Sequence, residues 1–357
     1  MKKRSKLGLT LLALTVLTGV AVSMTGCSNM AYLAQSAQGH LQLLTAAQPV
    51  PQWLDKHDLP APLRARLELS QVMRNFAVSE LHLPDNDSYR RYADLRRSAA
   101  VWNVVAAPPL SLQLKTSCFP VTGCVGYQGF YEREKADAQA AKLKAEGFEV
   151  SVYGVPAYST LGWLNWLGGD PLLNTFINYS EGELARLIFH ELAHQVVYAK
   201  DDTQFNESFA TAVERIGVKR WLARAGANQT NEDYARSQER QEQFRTLVMG
   251  YRSQLDTLYR SDAPLGVKIE RKAALLARMR QEHAQLKTSA WAGYAGYDGW
   301  FERANNASLS VMGAYNEFVP GFEALFEAQG RDFVRFYEQV QILSALPMAQ
   351  RHAALKF

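Results

Sequence analysis

Apolar positions along this chain follow two rhythms, one helical and one extended, and the change between them divides the sequence into regions. After an uncharged run from Leu7 to Gly26, residues 30–47 place Leu33, Leu41 and Leu44 on one helical face, and a Pro-marked break follows at Pro49–Pro51. Residues 61–80 predict a second helix. Between about residues 99 and 155 the period changes. Residues 99–106, 110–116 and 125–131 are rich in β-branched or aromatic side chains with turn residues between them, and they predict strands. Residues 132–146 are rich in Ala, Lys and Glu and predict a helix that Gly147 ends; residues 149–155 predict one more strand. A small mixed sheet with a helix on one side is expected. Beyond residue 180 the pattern is helical almost throughout. Residues 230–260 and 265–288 form two charge-rich stretches split at Asp262-Ala263-Pro264, which predicts an antiparallel helical hairpin at about 230–288. Their charge favours a solvated structural arm; a substrate-restricting lid is the alternative. Residues 291–301 interleave Trp291, Tyr294, Tyr297, Trp300 and Phe301 with Gly, a loop that either packs over the core or lines a groove. The expected fold class is α+β, predominantly helical.

Composition narrows the function classes. The 357 residues are 47% hydrophobic and 21% charged, which excludes a disordered, collagen-like or disulfide-dense chain. The net charge of +4 comes from Lys2, Lys3, Arg4 and Lys6, because 39 − 4 leaves 35 basic against 35 acidic residues. No basic excess is left to neutralise phosphates, so a nucleic-acid partner is not expected.

The basic cluster, the apolar run and the small residues after it form a signal-peptide pattern, with a retained anchor helix as the alternative. Met24-Thr25-Gly26-Cys27 resembles the bacterial lipobox. That resemblance implies removal of residues 1–26 and lipidation of Cys27. Ser28 in place of Asp implies delivery to the outer membrane, with the protein facing the periplasm and bound to the membrane by a lipid anchor. The mature chain, 27–357, is expected to form a single domain. The other two cysteines, Cys118 and Cys124, flank a Pro/Gly loop; in an exported chain a local disulfide is expected, with two buried thiols as the alternative.

The segment that carries chemistry is Phe189-His190-Glu191-Leu192-Ala193-His194-Gln195, an HExxH motif. Two histidines at i and i+4 share one helical face and can bind one Zn²⁺, while Glu191, offset around the helix, can serve as general base. The element must then be a helix. Ser180 and Glu183 offer a capping box at its start, and the helix is expected to run to about Lys200, before a turn at Asp201-Asp202. A zinc hydrolase site needs a third protein ligand.

Phe205-Asn206-Glu207-Ser208-Phe209-Ala210 resembles the Asn-Glu-x-Phe-Ala segment of gluzincin aminopeptidases, whose Glu is the third zinc ligand. The match points to Glu207. Glu214, seven residues on and on the same face, is expected either to support a ligand from behind or to be the alternative ligand. As a whole the chain resembles a group of bacterial lipoproteins described as predicted zinc aminopeptidases. The resemblance runs from the lipobox through Cys118 and Cys124, the 155–162 segment and the zinc motif to the segment from Asn305 to Pro320. It implies a zincin-like metallopeptidase domain holding one Zn²⁺ per chain and hydrolysing peptides or proteins with a zinc-activated water. Tyr315 is the first candidate for stabilising the oxyanion, with a core Tyr as its alternative, and Tyr158 is a candidate for the edge that pairs with substrate. Asn305 and Asn306 either bond substrate or cap a helix. The remaining histidines (His40, His57, His82, His283, His352) read as structural or surface residues.

The chain lacks the Gly-x-Met-Glu-Asn segment with which large gluzincin aminopeptidases hold a free amine. Three functions therefore stay open: an envelope aminopeptidase; an envelope endopeptidase acting on proteins or peptidoglycan peptides; and a lipoprotein adaptor or chaperone with a structural zinc.

Overall fold

The computed structural model describes residues 32–356 apart from 33, 34, 37, 120–122, 158–167, 226, 227 and 313–317. In chain order come β1 (Gln48–Pro49), α1 (Val50–Leu54), α2 (Ala61–Ser79), β2 (Arg91–Ala93), β3 (Val101–Ala107), β4 (Ser117–Phe119), β5 (Gly123–Val125), β6 (Gln128–Phe130), α3 (Arg133–Ala145), β7 (Glu149–Val155) and β8 (Leu172–Leu173). The helical part follows with α4 (Glu181–Ala193), α5 (Thr203–Ala225), α6 (Asn228–Arg260), α7 (Leu265–Thr288), α8 (Asp298–Arg303), α9 (Asn306–Val311), α10 (Val319–Ala328), α11 (Phe333–Ser344) and α12 (Met348–Ala354). The protein is α+β and predominantly helical, as its periodicity predicts.

The extended region forms two three-stranded sheets and a two-stranded ribbon. β6-β3-β7 is wholly antiparallel, with Asn103 opposite Tyr153 and Gly129. Ala136, Ala140 and Leu143 of α3 cover one face of it, and Ala307 of α9 packs against Val105 and Ala107. The mixed sheet is the short β1-β2-β8, antiparallel then parallel. Residues 110–116, expected as a strand, are irregular; the chain pairs only from Ser117, where Cys118 and Cys124 face each other across β4 and β5 in a disulfide. Both cysteines are exposed, so the bridge clips a surface ribbon. Near the N-terminus, residues 38–46 are helical, but Leu43 and Leu44 are buried while Leu41 is exposed. Gly147 closes α3 with φ +89, a conformation glycine adopts without a Cβ penalty.

The main core holds the motif helix. Leu184, Ile188 and Leu192 of α4 pack with Leu67 and Met73 of α2, Phe205, Phe209 and Val213 of α5, and Phe322 and Phe336 of α10 and α11. Each such side chain stabilises the fold by about 1.5–3 kcal/mol, so α4 and α5 are held against each other by apolar burial before any metal binds.

The hairpin α6–α7 has a core of its own, built from Phe244, Val248, Tyr251, Leu255, Leu276 and Met279 with Trp291 and Phe301. It is pinned at both ends. Near its tip Tyr259 Oη donates to Asn306 Oδ1 (2.8 Å), and Lys272 Nζ donates to Pro109 O (2.7 Å) and pairs with Glu149. Buried Asn306 donates from Nδ2 to Pro108 O (3.0 Å) and from its backbone to Glu149 Oε2 (2.8 Å). At the other end a Cβ on Gly182 of α4 would run into the Tyr234 ring of α6. The expected solvated arm is therefore a fixed wall. Asn305 takes the capping role, accepting from Ser308 N (3.1 Å) at the start of α9. Among the described residues no helix is long and apolar enough to cross a membrane. Residues 1–26, expected as a signal peptide, and Cys27 lie outside the described residues.

Candidate metal centre

α4 begins at Ser180, whose side chain caps nothing. The capping box expected there does not form, because Glu183 is engaged elsewhere: it receives Arg186 Nε (2.8 Å), Ser237 Oγ (3.1 Å) and Gln241 Nε2 (3.0 Å). The helix also ends earlier than expected, at Ala193. His194 still has helical angles (φ −58°, ψ −20°), so the i, i+4 relation of the two histidines survives. The early end comes from how the chain after α4 folds back. Buried Asn206 accepts from Ala199 N and donates to Ala199 O, both at 2.8 Å, and folds the connection back on the start of α5. Asp202 caps α5, accepting from Phe205 N (3.1 Å), and is itself held by His352 Nε2 at 2.9 Å. His352 thus reaches the third-ligand helix from the C-terminal helix.

These elements bring His190, His194 and Glu207 together, with one ligand atom from each inside a 4.8 Å cluster. The two Nε2 atoms lie 3.2 Å apart, Glu207 Oε2 lies 3.3 Å from His190 Nε2, and Glu207 Oε1 lies 3.7 Å from His194 Nε2. Glu214 is on the other side of the first imidazole, its Oε2 2.8 Å from His190 Nδ1 and 3.4 Å from Arg186 Nη1. Of the two positions weighed for it, the geometry gives Glu214 the supporting one. Among the described residues no fourth His, Cys, Asp or Glu joins the cluster.

Electrostatics follow from this packing. Burial disfavours charge on His190, but the hydrogen bonds and negative charge of Glu207 and Glu214 outweigh it and raise its pKa. Burial and the neighbouring His190 push His194 down. Burial would raise both carboxyls, yet His190 and His194 hold Glu207 below the usual range, and Arg186 with His190 does the same for Glu214.

The centre opens on a cleft of about 1290 Å³. His190, Glu207 and Glu214 line it from one side, and Asn231, Tyr234, Gln238 and Gln241 of α6 from another. Tyr294 and Tyr297 also line it, so the aromatic loop does both things expected of it, since Trp291 is buried. Tyr315 and Tyr158 lie outside the described residues. Two residues passed over in the sequence join the site. Arg186, one helical turn before His190, signals itself by that spacing. Gln195, directly after the motif, bonds Asn86 and Ser88 of a distant turn, and nothing local announces it.

No curated protein and no solved structure matches the chain. A family model does, over residues 31–355, and the chain belongs to the family described as "Putative aminopeptidase".

Proposed function

We propose that the protein is a zinc-dependent peptidase of the bacterial cell envelope, tethered through Cys27 to the outer membrane and facing the periplasm. The observation that carries this reading is the convergence of His190, His194 and Glu207 on one point, beside a large cleft that His190 and Glu207 line. Two imidazole nitrogens and one carboxylate are the donor set of a catalytic zinc site with a position left for water and substrate, whereas Mg²⁺ or Ca²⁺ would want more oxygens. When bound there, zinc supplies Lewis-acid polarisation of the scissile carbonyl and lowers the pKa of water to about 7.

The chain's own residues supply the rest. Glu214 fixes the His190 ring through Nδ1 and so keeps Nε2 free for the metal. Glu191 takes a proton from the attacking water and returns it to the leaving amine. Tyr315 serves as the donor to the oxyanion, and Tyr158 marks the edge against which extended substrate lies.

The family description favours peptide substrates and, within them, removal of N-terminal residues. The cleft favours a second reading in one respect: about 1290 Å³ exceeds the ~300–1,000 Å³ of ordinary small-ligand pockets and has room for an oligopeptide. Three ligands converge among the described residues, which favours a catalytic site over an adaptor with a structural zinc, since structural sites are closed by four.

The test is zinc content beside hydrolysis of a peptide library. About one zinc per chain, with cleavage lost on chelation and restored by zinc, is expected. Cleavage that persists in metal-free protein would rule the zinc mechanism out. N-acetylated peptides cut as fast as free ones would reassign the protein as an endopeptidase.

A further inference from the structure

The cleft follows one ridge of the third-ligand helix. Glu207, Thr211, Arg215, Lys219 and Ala223 of α5 recur at every fourth position, and all of them line it. Residues four apart are neighbours on a helix surface, so this ridge is a continuous wall that leads away from the metal centre. At about 1.5 Å of rise per residue, Arg215 stands about 12 Å and Lys219 about 18 Å along the axis from Glu207.

The other two cations of the cleft lining have carboxylate partners. Arg186 pairs with Glu183 (2.8 Å) and Glu214 (3.4 Å), and Arg245 pairs with Glu242 (2.7 Å). Arg215 has only Glu323 of α10 at 4.0 Å, with both side chains more than a third exposed. Lys219 is exposed, and among the described residues no acid pairs with it. Glu239, on the α6 wall, takes its hydrogen bond from Gln243 Nε2 (3.1 Å). None of the residues three or four positions from Arg215 or Lys219 on α5 is acidic. Like charges four residues apart weaken a helix, so the fold gains nothing from this pair. On a convex surface water would simply solvate it. Here it stands in the wall of a concave site that begins at the metal ligand Glu207.

We propose that Arg215 and Lys219 form a subsite for a carboxylate of the peptide substrate. An extended peptide advances about 3.3 Å per residue, so the carboxylate belongs roughly four to five residues from the cleaved bond. A short peptide supplies it as its free C-terminus, and a longer one as an Asp or Glu side chain. The proposal rests on the reading of the centre as a peptidase.

The test uses the zinc-loaded protein and uncharged-side-chain peptides of two to ten residues, each made with a free and with an amidated C-terminus. Mass spectrometry of the products locates the cleaved bond. Where four to five residues separate that bond from the C-terminus, amidation is expected to raise KM about tenfold, the effect of one charge-assisted hydrogen bond, and to do little in dipeptides. The ratio should fall to about one in the Arg215→Gln/Lys219→Gln double variant and invert in Lys219→Glu, an exposed position where folding is not at stake. Equal KM values at every length overturn the proposal, as does a ratio that survives in the double variant. A longer amidated peptide with Glu placed four to five residues from the cleaved bond identifies the side-chain source if it regains the low KM; a free C-terminus that alone does so identifies the terminal one. If the wild type cuts no peptide, the peptidase reading fails, and calorimetry of the free and amidated hexapeptides decides the subsite by itself. Tighter binding of the free acid by about tenfold upholds it, and equal binding or none overturns it.

Discussion

The His190 ring is held by carboxylates on both edges: Glu214 Oε2 lies 2.8 Å from Nδ1 and Glu207 Oε2 lies 3.3 Å from Nε2. Two glutamates seven residues apart on one helix therefore have different tasks. Glu214→Gln removes the charge behind the ligand and should weaken zinc binding about 10–100-fold. Glu207→Ala removes a ligand and should weaken it more. Competition with a chelator of known affinity measures both. The reverse order would make Glu214 the ligand.

Proton release on metal binding follows from the raised pKa of His190. In the metal-free protein Glu207 and Glu214 keep this imidazole charged above its ordinary value of 6.5. Zinc needs it neutral, so binding at pH 7 to 7.5 should expel about one proton, read as a buffer-dependent binding enthalpy in calorimetry. The same shift sets a stability trend. A raised folded pKa stabilises fully below the unfolded value, and that contribution is lost as pH rises through the folded one. The metal-free protein should therefore melt progressively lower as pH rises above about 6.5. A flat profile and no proton release would show that His190 is neutral without metal.

Close contact between the motif helix and the hairpin depends on Gly182. Gly-to-Ala within a helix ordinarily gains up to about 1 kcal/mol. Here the added Cβ meets the Tyr234 ring, and overpacking of this kind costs about 1–3 kcal/mol. Gly182→Ala should lower stability in urea denaturation and raise KM as α6 shifts at the cleft. A stabilised variant would mean that the wall is loose.

Asp202 ties the C-terminal helix to the third-ligand helix. It caps α5 through Phe205 N and accepts from His352, with Arg351 Nε 3.4 Å away. Losing a cap costs about 0.5–2 kcal/mol, and leaving buried Arg351 without its counter-charge adds to that. Asp202→Ala should cost about 2 kcal/mol or more in chemical denaturation. A change within 0.5 kcal/mol, the range of ordinary surface substitutions, would count against this tie.

How much of this is legible in the sequence varies by residue. His190, His194 and the helix that joins them follow from spacing and from the apolar period of Leu184, Ile188 and Leu192. Glu207 and Glu214 share a face, so helical phase alone cannot say which edge of the imidazole each will meet. The resemblance chooses Glu207, and the packing of α5 on α4 places it there. The early end of α4 depends on Asn206 reaching back to Ala199, a tertiary contact with no local signature. The failed cap at Ser180 has a similar origin, since Glu183 bonds side chains more than 50 residues away. The hairpin misleads for a different reason. Asn231, Gln238 and Gln241 face a cleft, and a polar cleft wall has the same composition as a solvated surface.

The central claim is that Glu191 acts as general base beside a zinc held by His190, His194 and Glu207. Its most direct test is the peptide hydrolysis rate of Glu191→Gln measured against wild type at equal zinc content. The account predicts about one zinc per chain in both proteins and a rate lowered by about 10²–10⁴ in the variant. A zinc-loaded Glu191→Gln protein that cuts peptides at the wild-type rate would contradict it.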